Sequence, residues 1–309
     1  KYFKVFGRIK DAEIRGCSDT YAVDQSIRQK ALADIQDIQT YQKISFLVGN
    51  PAMIQKMTQV TPMQPFAAEV LAFLEDLSKE LMTDKKCRLY PDIVTLGFWL
   101  RKSSLHELKK KYLIEDSETI RIGKGMAFHI APSNVPVNFA YSLFTGLLAG
   151  NANVVRVPSK NFPQIDLIAE SVKRVLARHE DMQSYIALIR YERNQDVNAL
   201  LSSMCDVRIV WGGDATIAEL RKSRLPARAT EIAFADRYSL AVIDADYYLS
   251  CMDADRVARD FYNDTYLSDQ NACTSPRVVV WYGEKKEDAK ERFWKALYLS
   301  LIHISEPTR

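Results

Sequence analysis

The sequence predicts an α/β protein whose core is a doubly wound parallel sheet. Two observations carry that expectation. From about residue 116 onward, short β-branched runs alternate with helical patterns, the order that builds a parallel sheet. The intervening helices also have the length of right-handed crossovers, which return each strand parallel to the last. In such sheets ligands bind outside the carboxyl ends of the strands. Functional residues are therefore expected where strands end and helices begin.

Before residue 116 the texture is helical and irregular. PFAAEVLAFLEDLSKELM at 65–82 puts Val70, Leu71, Phe73, Leu74, Leu77 and Leu81 on one side of a helix. The alternation then starts: MAFHIAP at 126–132 reads as a strand, VNFAYSLFTGLLAG at 137–150 as a helix stopped by Gly150, and NVVRVP at 153–158 as a strand. FPQIDLIAESVKRVLARH at 162–179 is a helix with Ile165, Ile168, Val172, Val175 and Leu176 at helical spacing and Pro163 suited to its first turn. SYIALIRY (184–191), VRIVW (207–211) and SLAVID (239–244) read as strands, with helices in DVNALLSS (196–203) and after GGD in GGDATIAELRK (212–222). A helix over 253–266, a strand over 277–282 and an amphipathic helix over 287–301 close the pattern. The expected organisation is a mostly helical region at 1–115, a cofactor-binding sheet domain at 116–245, and the opening of a further α/β domain at 246–309.

A chain of 309 residues, 47% hydrophobic and 26% charged, has room for a substantial core. Forty-two basic and 39 acidic residues leave a formal charge of +3, far short of the basic field that nucleic-acid binding requires. Cys17, Cys87, Cys205, Cys251 and Cys273 are odd in number and widely spaced, with no CxxC pair. That argues for a reducing, cytoplasmic setting without a disulfide framework or zinc site. The longest apolar stretch is interrupted by Asn138, Ser142 and Thr145, so no membrane span is expected. The chain begins at Lys1 and stops at LIHISEPTR shortly after a helix has begun, so it reads as a fragment with a foreign or read-through tail.

Four places invite chemistry. Gly212 and Gly213 sit between a strand and a helix, where glycines allow close backbone approach and a helix start favours a phosphate; a plain chain reversal uses the same residues. Asn134, between Pro132 and Pro136 at a strand exit, can donate to an oxyanion or simply serve a turn. His129 lies inside an apolar strand, with no metal-ligand spacing to His106, His179 or His303, and is expected to be a packed core histidine. Cys273 has Gln270, Asn271, Thr274 and Ser275 as neighbours, fitting an open polar turn where amides stabilise a thiolate; a structural cysteine remains the alternative.

In fixed order, AFHIAPSNVPVNFAYS, GLLAGNANVVRVPSK, VWGGD and DQNACTSPR resemble segments of the aldehyde dehydrogenase superfamily, and more specifically of LuxC-type acyl-CoA reductases, known from bacterial bioluminescence. The resemblance covers roughly residues 116–300. It implies an aldehyde dehydrogenase-like fold with a cofactor domain and the start of a catalytic domain. It further implies that Cys273 attacks an acyl thioester, that Asn134 stabilises the oxyanion, that Gly212 and Gly213 hold a pyrophosphate, and that a nicotinamide cofactor reduces the acyl-enzyme to a fatty aldehyde. The substrate would be a fatty acyl-CoA or an acyl-protein thioester, with an acyl-transferring protein or acyl-protein synthetase and a second copy of the chain as candidate partners.

Two departures shape the expectation. Where the superfamily often has KPSE, this chain reads VPSK at 157–160, so Lys160 replaces the carboxylate that would hold a ribose diol. With Arg156 and Ser159 nearby, the basic pair favours NADPH over NADH; two solvated charges would leave no preference. Glu231 lies roughly where aldehyde-oxidising members place a water-activating Glu, but the glycine pair after it is absent. Aldehyde oxidation to acid, and an inactive cofactor-binding protein, are the rival readings.

Overall fold

A computed structural model of the chain describes residues 37–113, 119–251, 253–266, 270 and 272–305. Cys17, Asn271 among the polar neighbours of Cys273, and the last four residues of LIHISEPTR lie outside them. The expected doubly wound sheet is present. Six strands lie in the order β1-β4-β3-β2-β5-β6: β1 (Ser45–Val48), β2 (Met126–Ile130), β3 (Ala152–Arg156), β4 (Ile186–Arg190), β5 (Val207–Trp211) and β6 (Thr230–Phe234). All pairings are parallel except β1 with β4. The chain winds from β2 through β3 to β4, then returns to the other side of β2 for β5 and β6. The switch of direction opens a crevice at the carboxyl ends of β2 and its neighbours.

Strand periodicity feeds two cores. Val155, Ile186 and Leu188 face one layer with α2 (Ala68–Thr83), α5 (Asn138–Leu148) and α6 (Pro163–Leu176). Met126, Phe128, Ile130, Val154, Ala187 and Ile189 face the other, with α1 (Pro51–Met57), α7 (Gln195–Met204) and α8 (Asp214–Arg221). Helix starts follow local chemistry. Asn50 and Asn194 cap α1 and α7 by accepting from Met53 N at 3.0 Å and Val197 N at 3.1 Å, and Pro163 occupies the first turn of α6. Gly150 ends α5 at φ +87°, and a Cβ there would come within 2.1 Å of Met63 O.

Two strands escaped the sequence reading. β1 is only four residues long and draws its place from hydrogen bonds to β4, so no periodicity announces it. β6 lies at the sheet edge, with its residues mostly exposed. The described part of the mostly helical 1–115 region packs with the sheet. It contributes β1 to the sheet, and α3 (Pro91–Trp99), α4 (Lys102–Tyr112) and α2 share a core with α5 and α6. On the outer side of that layer, Arg174 on α6 pairs with Glu80 at 2.6 Å and Asp84 at 3.0 Å. Of the helical stripe, Val70, Phe73, Leu74, Leu77 and Leu81 are buried, while Leu71 is partly so.

A smaller unit follows. β7 (Ser239–Asp244) and β8 (Pro276–Tyr282) pair in parallel. They pack with α9 (Ala245–Ser250), α10 (Ala254–Thr265) and α11 (Lys286–Ser305) around Tyr248, Ala258, Tyr262 and Phe293. Among the described residues no helix is long and apolar enough to cross a membrane.

Candidate active site

The crevice is a cleft of about 1500 Å³. Segments leaving five parallel strands line it: Asn134 after β2, Ser159 and Lys160 after β3 with Arg156 at its end, Glu192 and Arg193 after β4, Gly212 and Gly213 after β5, and Asp236 and Arg237 after β6. Cys273 lines it from the smaller unit. Residues separated by almost 140 positions in the chain thus meet in one place.

Cys273 is exposed, in the turn between α10 and β8. That turn is tied down on both sides. Gln270 N donates to Thr265 O at 2.8 Å, Ser275 Oγ donates to Asp264 O at 2.9 Å, and Ser239 Oγ at the start of β7 donates to Cys273 O at 2.8 Å. The other described cysteines do not line the cleft. Cys205 is buried, and burial pushes its thiol up to about 12; Cys87 is buried and shifted the same way; Cys251 donates to Tyr247 O.

The turn Gly212–Gly213 suits a bound anion. Gly213 precedes α8 with no side-chain cap, and Gly213 O takes the amides of Thr216 and Ile217. The N–H groups of the first helical residues have no intrahelical acceptor. A Cβ on Gly213 would lie 2.9 Å from the exposed Asp236 Oδ2, so a larger residue there would push that carboxylate aside. On the β3 side, Arg156 stacks 4.6 Å over Tyr191 and donates from Nη2 to Tyr191 O at 3.2 Å. Its Nε is buried with no acceptor among the described residues, a donor that a ligand can satisfy. Lys160 is exposed and lies 4.9 Å over Phe162. The volume, the open helix start and the orphaned Arg156 donor together fit a dinucleotide.

Glu231 is elsewhere. It sits three residues before the cleft end of β6, opposite Arg208 of β5, so roughly 10 Å along the strand from the ligand edge. Its carboxylate accepts from Arg208 Nε at 2.9 Å and Arg221 Nε at 2.7 Å. Burial pushes the carboxyl up, but the hydrogen bonds from Arg221 and Arg208 outweigh it and hold the group below its usual range. Arg208 also donates to Ser202 Oγ, Leu220 O and Ser223 O. The cluster clamps the far end of α8 to the sheet.

The sequence reading passed over Trp211, Phe234, Glu192, Arg193, Asp236 and Arg237. Trp211, directly before Gly212, and Glu192, just past the strand of SYIALIRY, were findable from their places at strand ends. Phe234, Asp236 and Arg237 were hidden because β6 was not read as a strand.

The fold and cleft define a protein with the aldehyde dehydrogenase architecture. An acetylating aldehyde dehydrogenase from Geobacillus thermoglucosidasius superposes with a TM-score of 0.57 at 14% identity, over 87% of this chain and 59% of that one. An NAD-dependent benzaldehyde dehydrogenase from Corynebacterium glutamicum does so with a TM-score of 0.54 at 17% identity, over 79% and 57%. Within that architecture the chain belongs to the acyl-CoA reductase (LuxC) family, which matches residues 100–306. A long-chain acyl-protein thioester reductase from Vibrio harveyi is 28% identical over 180 residues, 57% of this chain and 36% of that protein. Long-chain acyl-protein thioester reductase 2 from Photobacterium leiognathi is 24% identical over 163 residues, 52% and 33%. The match spans about a third of the length of these curated relatives. Family and fold together imply a nicotinamide cofactor.

Proposed function

We propose that this chain carries the cofactor cleft and the nucleophile of a reductase that converts a long-chain fatty acyl thioester to a fatty aldehyde. The carrying observation is the convergence of Cys273, Asn134 and the Gly212–Gly213 turn on one cleft. The Cys273 thiolate attacks the thioester carbonyl, and the donor thiolate, of a coenzyme A or of an acyl-protein, leaves to give an acyl-cysteine. Asn134, on the β2 side of the same cleft, supplies a donor for the oxyanion. The nicotinamide supplies a hydride to the acyl carbon when bound. Cys273 then leaves as a thiolate as the carbon–sulfur bond breaks, so it ends in the state in which it began. No water is consumed, so no general base for hydrolysis is called for.

Gly212, Gly213 and the first turn of α8 would hold the pyrophosphate, and Arg156, Ser159 and Lys160 the adenosine end. The two cations favour a 2′-phosphate, so NADPH is the preferred reductant. Glu192, in the same cleft, is the group that opposes this preference. Oxidation of an aldehyde to an acid fits less well, because Glu231 is held by two arginines instead of facing the cleft.

The test is direct. Incubation with tetradecanoyl-CoA is expected to add one tetradecanoyl group to Cys273, detected by mass spectrometry of the peptide; NADPH is expected to discharge it as tetradecanal. An unmodified Cys273, or equal labelling of Cys273→Ser, defeats the mechanism. NADPH is expected to bind more tightly than NADH, and Lys160→Glu to narrow or reverse that order.

A further inference from the structure

A polar chain runs through the centre of the sheet and ends in the cleft. His129, inside the wholly buried β2, has Nδ1 2.8 Å from Ser142 Oγ on α5 and Nε2 2.9 Å from Asn153 Oδ1 on β3. Asn153 Nδ2 donates to Asn151 O at 2.6 Å, which leaves its Oδ1 as the acceptor. Burial pushes the imidazole down to about 4, so at neutral pH it carries a single ring proton. That proton sits on Nε2, facing the Asn153 oxygen, and Nδ1 accepts the hydroxyl proton of Ser142. With its hydrogen committed, Ser142 Oγ offers a lone pair, and Trp211 Nε1 donates to it at 3.3 Å. The helix is pressed close to make this possible: a Cβ on Gly146 would come within 2.0 Å of Asn153 Oδ1.

The tethered indole forms a platform. Trp211 stacks on Phe234 with centroids 4.0 Å apart and planes at 15°, and both rings line the cleft. They close β5 and β6, next to the Gly212–Gly213 turn. On the other side of β2 lie Arg156 and Lys160 of the adenosine end. Asp236 and Arg237, which follow Phe234, share the cleft with Cys273. A hydride must reach an acyl group on Cys273, so the nicotinamide belongs on the β5–β6 side. The flat face of a nicotinamide ring stacks against the face of an indole by dispersion and burial of apolar surface.

We infer that the Trp211–Phe234 stack is the platform for the nicotinamide ring, and that Ser142 and His129 are positioning residues that set the plane of the indole through its N–H. This rests on the cleft holding a nicotinamide dinucleotide. The experiment is titration of NADPH, and separately of ADP-ribose, into the 309-residue chain, following indole fluorescence and dissociation constants, with the thermal midpoint recorded for each variant. Trp211→Leu is expected to weaken NADPH about ten-fold, the size of one stacked base lost, and to leave ADP-ribose within two-fold. Ser142→Ala is expected to weaken NADPH about five-fold, the net worth of one hydrogen bond. In a Trp211→Phe background, which stacks but cannot donate, the same Ser142→Ala change is expected to shift NADPH less than two-fold.

Equal losses from Ser142→Ala in both backgrounds would show that Ser142 acts on the fold and not through the indole, overturning the positioning role. Equal losses of NADPH and ADP-ribose in Trp211→Leu, or no loss of either, overturn the platform. If the unaltered chain binds neither NADPH nor NADH, the cleft assignment itself fails and the platform with it. Normal binding in the unaltered chain with unchanged variants sinks only the platform.

Discussion

The six-stranded sheet and the β7–β8 pair are both built largely or wholly from parallel strands, yet they are supported very differently. The large sheet has helices on both faces, and β2 at its centre is buried throughout. The small pair is covered on one face by α9 to α11, while Leu240, Val242, Val278, Val280 and Tyr282 are exposed. Parallel strands ordinarily have both faces covered. The cofactor contacts hang from strand ends locked in a double core, whereas Cys273 reaches the same cleft from the thinly covered unit.

The sharpest way to break this contrast is to remove a buried charge from the large sheet. Arg208 is 2% exposed and serves Glu231 and two backbone carbonyls. Arg208→Ala is expected to cost about 3–5 kcal/mol in denaturant unfolding, because it strands those acceptors. Arg256, exposed on α10 and 3.6 Å from Asp260, is the small-unit control; Arg256→Ala is expected to leave the unfolding midpoint almost where it was.

Next comes pH. Folded His129 has its proton affinity lowered to about 4, against about 6.5 when unfolded. The unfolded chain therefore takes up the proton first. Stability is fully present above about pH 6.5 and falls as pH drops from there to 4, by on the order of 3 kcal/mol. Urea midpoints measured across that window are expected to follow this slope, and His129→Gln to flatten it. Further losses below that window come from Asp76 and Asp84, which hydrogen bonds hold below the usual carboxylate range.

A matched pair of truncations is expected to have a smaller effect. Val154 is fully buried in β3 and Val242 is 62% exposed in β7. Val154→Ala should cost about 2 kcal/mol, from two lost methylene equivalents plus a cavity, and Val242→Ala less than about 0.5 kcal/mol. Similar losses at both positions would mean that the exposed face is covered in solution. The smallest expected effect is on dye binding. Leu240→Lys should reduce the fluorescence of a bound apolar dye while leaving the NADPH dissociation constant unchanged, since Leu240 lies outside the cleft.

Much of the sheet was legible because each buried strand announces itself. VRIVW and SLAVID match β5 and β7 residue for residue, and Pro163 marks a helix start by chemistry that acts within a few residues. The failures share a cause. SFLV became a strand only by pairing with β4, and TEIAF only by pairing with β5. Short edge strands gain their hydrogen bonds from distant partners, and periodicity over four or five residues carries little signal. Losing β6 hid Phe234, Asp236 and Arg237, and left Glu231 without the arginines that occupy it.

Local chemistry by itself determined the doubly wound class, the glycine turn after β5, the buried character of His129 and the polar setting of Cys273. Only the tertiary structure decided that Asn134, Arg156, Lys160, Gly213 and Cys273 share one cleft, that Glu231 serves a clamp, and that a histidine in β2 reaches the cleft floor through Ser142 and Trp211. The physical reason is range. Propensity, capping and turn geometry act between residues a few positions apart, whereas the cleft is made where strand ends far apart in the chain are brought side by side by the winding of the sheet.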